Sequence, residues 1–213
     1  MPTTEAAHVP DDASPDLAML AVTIGYEFTD LQLLRQAMAH RSWCAETPGE
    51  RSNERLEFLG DAALGWAIAD IAFHQFDALA EGLLTDLRKS VVNASALAEV
   101  AETIGIGPHL LLGKGEASAG GAEKSSILSD AFEAVLGAVY LDGGTEPAYA
   151  MVQRGVAPRM LTSVGRLDQL DHKTQLQELA ARAGRGAPVY TVSSTGPDHA
   201  KSFQATVSLD GDV

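Results

Sequence analysis

An all-α domain followed by a short, incomplete α+β unit is the architecture implied by this 213-residue sequence. From about Leu17 to Leu161 apolar residues recur at spacings of three and four, as in "LQLLRQAMAH" and "LLTDLRKSVVNASALAEVAETIG", and strand-like alternation is scarce. After residue 170 the period changes to two. Nearly half of the residues are apolar, 46%, so the chain can build a core.

Taken in order, residues 1–16 are rich in Asp, Pro, Ala and Thr without periodicity and read as a disordered acidic tail. Residues 17–162 form the helical domain. Its connections carry the breakers "TPGERS" (47–52) and "GIGPH" (105–109), and the Gly-rich "GKGEASAGGA" (113–122) reads as a flexible linker. Residues 163–170 connect to a second unit, 171–213. There Asp171 is placed to cap a helix with Leu176, Leu179, Ala180 and Ala183 as its apolar stripe, ended by Gly184, Gly186 and Pro188. Two strands follow, "VYTVSST" (189–195) and "SFQATVSL" (202–209), the latter with Phe203, Ala205, Val207 and Leu209 on one face.

Composition narrows the function. Cys44 is the only cysteine, which excludes an intramolecular disulfide and a multi-cysteine zinc site and suits a reducing cytoplasm. The start "MPTTEAAHVPDDASPD" lacks a signal-peptide pattern, and no apolar run approaches the roughly 18 residues of a membrane span. A soluble cytoplasmic protein is expected. Acidic residues outnumber Lys and Arg by 29 to 15, a net charge of -14, which at first argues against a nucleic-acid partner.

The stretch "NERLEFLGDAALG" (53–65) then raises a question of cost. Glu54, Glu57 and Asp61 are spaced i, i+3, i+7 and share one helix face within about 60°. The helix continues "DAALGWAIADIAF", apolar nearly all round, as in a helix packed on several sides. A second such helix, "SSILSDAFEAVLGAVYL" (125–141), carries Asp130 and Glu133 at i, i+3. Like charges turned inward need neutralising, and Arg51, Arg55 and Lys124 are too few to do so. Hard carboxylate oxygens without interleaved Cys or His suit Mg²⁺ or Mn²⁺. Such an ion lowers the pKa of bound water and stabilises charge on a phosphoryl oxygen, so metal-assisted phosphodiester hydrolysis is the chemistry this pattern favours. Salt-bridged structural carboxylates are the alternative.

"NERLEFLGDAALG" resembles the signature of the ribonuclease III family, which cuts double-stranded RNA. "EGLLTDLRKSVV" (81–92), "EKSSILSDAFEAVLGAVYLDGG" (123–144) and "LLRQAMAHRSW" (33–43) resemble further blocks of that family in the same order. The resemblance covers about residues 25–160 and implies the ribonuclease III endonuclease fold. It implies a Mg²⁺ site of Glu57, Asp61, Asp130 and Glu133, with Asp61 and Glu133 catalytic and Mn²⁺ able to substitute. Glu54 and Glu81 match supporting acidic positions; a place beside a helix N-terminus is the other reading of Glu81. Phe58 matches a residue that inserts into a partner subunit, core packing being its alternative, so a homodimer is implied. The implied reaction uses metal-activated water and leaves 5′-phosphate and 3′-hydroxyl ends with short 3′ overhangs, in rRNA and mRNA precursor processing.

Residues 171–213 resemble the start of a double-stranded-RNA-binding domain, with Gly196, Pro197 and His199 in the loop that enters a minor groove. The third strand and last helix of that domain, with their basic residues, are not in this sequence. Charge follows the same division: residues 1–165 hold 23 acidic and 10 basic residues, and 166–213 hold 6 and 5.

Rival readings fail on specific residues. A di-iron bundle needs two Glu-x-x-His pairs, and the only one is Glu5 to His8 in the polar tail. No GxxxxGK[ST] exists, so no nucleotide cofactor is expected. A catalytically silent relative is disfavoured because all six acidic positions are intact. His40 reads as structural.

Overall fold

The computed structural model describes residues 16–170, 172–196 and 201–212, and for residues 166–170 and 172–175 it describes the backbone only. All of the acidic tail except Asp16 therefore lies outside the described residues, as do Asp171, Pro197 and His199. The chain divides into two compact units at Ser163/Val164.

The first unit is helical, as expected. Helices α1 (Leu17–Ile24), α2 (Leu31–Ala37), α3 (Arg41–Glu46), α4 (Glu54–Gln75), α5 (Glu81–Val91) and α6 (Ala94–Thr103) lead to a short α7 (Lys114–Ser118). The long α8 (Ser125–Gly143) follows, then α9 (Thr145–Gly155) and α10 (Ala157–Leu170). Side-chain caps start several of them: Asp16 accepts from Met19 N–H at 3.0 Å, Asp30 from Gln32 N–H at 2.9 Å and Asn93 from Ala96 N–H at 3.0 Å. Residues 163–170, expected to connect the units, are the helical second half of α10. No helix among the described residues is long and apolar enough to cross a membrane.

Helix α8 is the centre of this unit and packs on α2, α4, α6 and α9. Leu128, Phe132, Val135, Leu136 and Val139 of α8 are buried with Leu56, Leu64, Ile68 and Ile71 of α4. The α4/α8 crossing is set by two glycines. A Cβ on Gly60 would lie 1.8 Å from the Glu133 carbonyl oxygen, and one on Gly137 would lie 2.2 Å from the Leu56 carbonyl oxygen. Only hydrogen at these positions lets the backbones touch, and the contact brings Glu57 and Asp61 of α4 alongside Asp130 and Glu133 of α8. One expectation needs correction here: α4 is not packed all round. Phe58, Trp66 and Phe73 are exposed on it, because α8 and its neighbours cover only one side.

Asn53, just before α4, is buried, but it does not cap the helix through its side chain. Its Nδ2 donates to the Ala37 carbonyl at 3.2 Å and its backbone N–H to the Ala39 carbonyl at 2.9 Å. Both bonds fix the start of α4 to the end of α2.

The Gly-rich segment is likewise not a flexible linker. It contains α7 and a 3-10 turn, Gly121–Glu123. Gly113 N–H donates to Ser42 Oγ at 3.0 Å and Lys114 N–H to Glu46 Oε1 at 2.9 Å, fastening α7 to α3. A Cβ on Gly113 would meet the Ser42 carbonyl at 2.5 Å, and one on Gly121 would meet Glu116 Cγ at 2.8 Å. These glycines serve close packing; composition alone had suggested mobility.

In the second unit α11 (His172–Arg182) precedes an antiparallel hairpin of β1 (Val189–Thr195) and β2 (Ser202–Ser208). Register pairs Tyr190 with Val207, Val192 with Ala205 and Ser194 with Phe203, so these residues share the apolar face read from the sequence. The expected stripe on α11 is only partly realised: Ala180 is buried, but Leu179 and Ala183 are exposed. Arg185 joins helix end to hairpin end, its Nε donating to Asp210 Oδ2 at 2.8 Å.

Candidate metal centre and nuclease cleft

At the α4/α8 crossing, one carboxylate oxygen each of Glu57, Asp130 and Glu133 lies within 4.8 Å of the others, and all three side chains are half-buried. Ser129, itself buried beside Asp130, donates from Oγ to the Ser126 carbonyl at 2.9 Å, with Asp130 Oδ1 at 3.3 Å from the same hydroxyl. Among the described residues no salt bridge reaches Glu57, Asp61, Asp130 or Glu133. The structural-ion-pair alternative therefore finds no support there.

Electrostatics record the cost. Burial, then the charges of Asp61, Glu57 and Asp130, push the Glu133 carboxyl up to about 8. Glu57 is raised by burial first, then by Asp130 and Glu54, with Arg41 opposing. Hard oxygens converging in a half-buried group that resists ionisation fit a divalent cation such as Mg²⁺ or Mn²⁺, which favours their charged forms.

The remaining acidic residues are distributed unevenly. Asp61 is exposed and stands beside the group of three, although its charge is the largest acting on Glu133. Glu54 is also exposed and accepts from Ser52 Oγ at 2.7 Å. Of the carboxylates expected to turn inward, Glu57, Asp130 and Glu133 are half-buried, whereas Glu54 and Asp61 are exposed. Glu81 sits in the first turn of α5, exposed, and accepts from Thr85 Oγ1 at 3.0 Å; it is not in the group of three. Phe58 is 80% exposed, so core packing is not its role. Gly196 adopts φ 99° just after β1.

A cleft of about 770 Å³ opens beside the cluster, lined by the carboxylates Glu54, Glu57 and Asp130 together with His40, Arg41, Glu116 and Lys124. His40 Nδ1 accepts from Ser42 N–H at 3.3 Å, capping α3, which agrees with a structural role. Arg41 and Glu116 drew no attention in the sequence. Their signal is weak, since Arg41 adjoins a short helix and Glu116 lies inside a glycine-rich run.

A helical domain with a carboxylate cluster at the crossing of two central helices, beside a cleft also lined by Arg41 and Lys124, is the class of architecture in which acidic side chains can hold a divalent cation. Residues 30–160 match the ribonuclease-III-like family and residues 172–213 the double-stranded RNA binding motif. Ribonuclease 3 of Leifsonia xyli subsp. xyli is 50% identical over 197 residues, 92% of this chain and 82% of that protein. Ribonuclease 3 of Mycobacterium tuberculosis is 50% identical over 187 residues, 86% of this chain and 78% of that protein. The nuclease domain of ribonuclease III from Campylobacter jejuni is 40% identical with a TM-score of 0.62, covering 65% of this chain and 94% of that one. The chain belongs to the ribonuclease III family of endoribonucleases.

Proposed function

We propose that this protein is a metal-dependent endoribonuclease that hydrolyses double-stranded RNA at the Glu57–Asp61–Asp130–Glu133 centre. The carrying observation is the convergence of Glu57, Asp130 and Glu133, which no salt bridge among the described residues reaches and in which Glu133 is pushed up to about 8. Bound there, Mg²⁺ or Mn²⁺ supplies a water of lowered pKa and stabilises negative charge on the scissile phosphoryl oxygen. Glu57, Asp130 and Glu133 would hold the cation. Glu133 must release its proton as the site fills, so metal affinity rises with pH up to about 8. Asp61, exposed beside the group of three, would share the catalytic role with Glu133, while Glu54 and Glu81 would support the acidic valley.

Hydrolysis leaves 5′-phosphate and 3′-hydroxyl ends. Cutting both strands with short 3′ overhangs requires two chains, and exposed Phe58 beside Leu141 offers an apolar contact for a two-fold partner. The Campylobacter jejuni relative is described as having a region involved in dimer formation, which supports this reading. The double-stranded RNA binding motif supports a duplex substrate, with Gly196, Pro197 and His199 as its groove-entering loop. Precursor rRNA and mRNA in the cytoplasm are the proposed targets.

Cleavage of a long RNA duplex with Mg²⁺ and with EDTA tests the reaction. Glu133→Gln, nearly isosteric, is expected to lose several decades of rate while the chain still folds cooperatively. Near-normal cleavage by that variant in Mg²⁺ rejects the assignment. For assembly, Phe58→Ala is expected to weaken the dimer by about 2–4 kcal/mol in sedimentation equilibrium; a wild-type monomer at micromolar concentration rejects the pairing.

A further inference from the structure

On the reading of the cleft as a duplex-RNA site, we propose that Lys124, Arg41 and His40 form a grip for one backbone phosphate of the RNA. In the free protein Glu116 fills that grip as an internal stand-in for the phosphate.

Four observations carry this. Lys124 Nζ forms an ion pair with Glu116 Oε1 at the start of α8, six residues before Asp130. Lys124, Arg41, His40 and Glu116 line the same cleft as Glu57 and Asp130, so the cationic corner and the acidic centre face one space. The hydrogen bond from Lys124 first, with Lys124's charge and smaller contributions from His40 and Arg41, holds the Glu116 carboxyl below its usual range, so Glu116 is the anion that this corner of the cleft already holds. Finally, α7 is fastened to α3 at Gly113 and Lys114, and the close fit of Gly121 against Glu116 sets where the carboxylate stands.

A carboxylate presents two oxygens sharing one negative charge, as a phosphodiester does with its non-bridging oxygens, so the same donors serve both. Without cationic groups the acidic cleft of a chain of net charge -14 would repel RNA. Glu116 lets the corner exist in the free protein without the uncompensated charges of Lys124 and Arg41, and RNA enters by exchanging its phosphate for that carboxylate. Self-competition follows. Removing the charge of Glu116 should tighten RNA binding, and removing the charge of Lys124 should weaken it.

A purely structural strap between α7 and α8 makes the opposite forecast, because breaking one ion pair from either side would harm binding alike. The full chain is titrated with a short RNA duplex in EDTA over a range of salt concentrations, alongside thermal melts and a cleavage assay in Mg²⁺. For Glu116→Gln the grip gives duplex binding at least about threefold tighter, and for Lys124→Gln binding about tenfold weaker. The slope of log K against log salt should also fall by about one for Lys124→Gln, the value for one lost phosphate contact, and Lys124→Arg should restore it. Weakened or unchanged binding by Glu116→Gln overturns the grip even if Lys124→Gln folds poorly. If the wild type neither binds duplex nor cleaves it, the RNA reading of the cleft fails and the grip with it. Wild-type cleavage combined with unaltered variants overturns the grip alone.

Discussion

In the helical unit Leu64, Ile68, Phe132, Val135 and Leu136 are at most 1% exposed, whereas in the C-terminal unit Val189, Val192 and Phe203 are 62, 64 and 68% exposed. Both regions have regular secondary structure, yet their apolar residues do different work. In the first, α8 is surrounded by other helices, and that packing gives a stiff platform able to hold three like charges within 4.8 Å. In the second, one helix and one two-stranded hairpin leave the shared face of Val192, Ala205 and Phe203 largely uncovered. Order there rests on ladder hydrogen bonds and on the Arg185–Asp210 tie. Electrostatic strain at a site can be tolerated only where packing energy is large, and here that is the helical unit.

Amide exchange sharpens the contrast most. Protection in α8 should track global unfolding, and β1–β2 should exchange at least about a thousandfold faster, since a lone hairpin is marginal in water. Equal protection in both units would break the comparison. Next in size is Gly60→Ala, which places a methyl group against the Glu133 backbone; it should cost about 3 kcal/mol and lower the melting temperature by roughly 6–12 °C. A melt within a degree of wild type would show that the crossing can relax. Asn53→Ala leaves the buried Ala37 carbonyl without its donor and should cost about 1–3 kcal/mol in denaturant titration.

A smaller effect has an unusual sign. Because the folded protein holds the Glu133 proton up to about 8, above the unfolded carboxyl value, the folded state binds more protons than the unfolded one. Stability of the metal-free protein therefore falls as pH rises from about 4.5 to about 8, and a bound cation reverses this. Glu133→Gln, inactive, should raise metal-free stability at pH 8 by about 1–2 kcal/mol after discounting for solvent screening, and leave it unchanged at pH 4.5. An unchanged or lower melting temperature at pH 8 would contradict this. Smallest is Val192→Ala on the exposed hairpin face, expected within about 0.5 kcal/mol of wild type by urea titration. A loss above 1.5 kcal/mol would reveal a covering contact for that face.

The sequence by itself determined the helical class of the first unit, the two strands of the second and the family of the whole. Helical periodicity, strict alternation and the contiguous "NERLEFLGDAALG" are local patterns, readable without knowing what packs on what. It also proposed Glu54, Glu57 and Asp61 on one face of one helix and Asp130 with Glu133 on one face of another, since spacings of three and four fix residues on one helix face. Only the tertiary structure decided which carboxylates converge. Asp61 and Glu54 have the same helical spacing as Glu57, but the Gly60–Gly137 contact sets where the two faces meet, and that contact joins residues far apart in the chain. The same reason explains Gly113 and Gly121, whose composition suggests mobility and whose neighbours demand close packing. It explains Phe58 and Phe73 as well: an apolar helix shows its residues but not its missing neighbour, and exposure is a property of what the rest of the fold leaves uncovered.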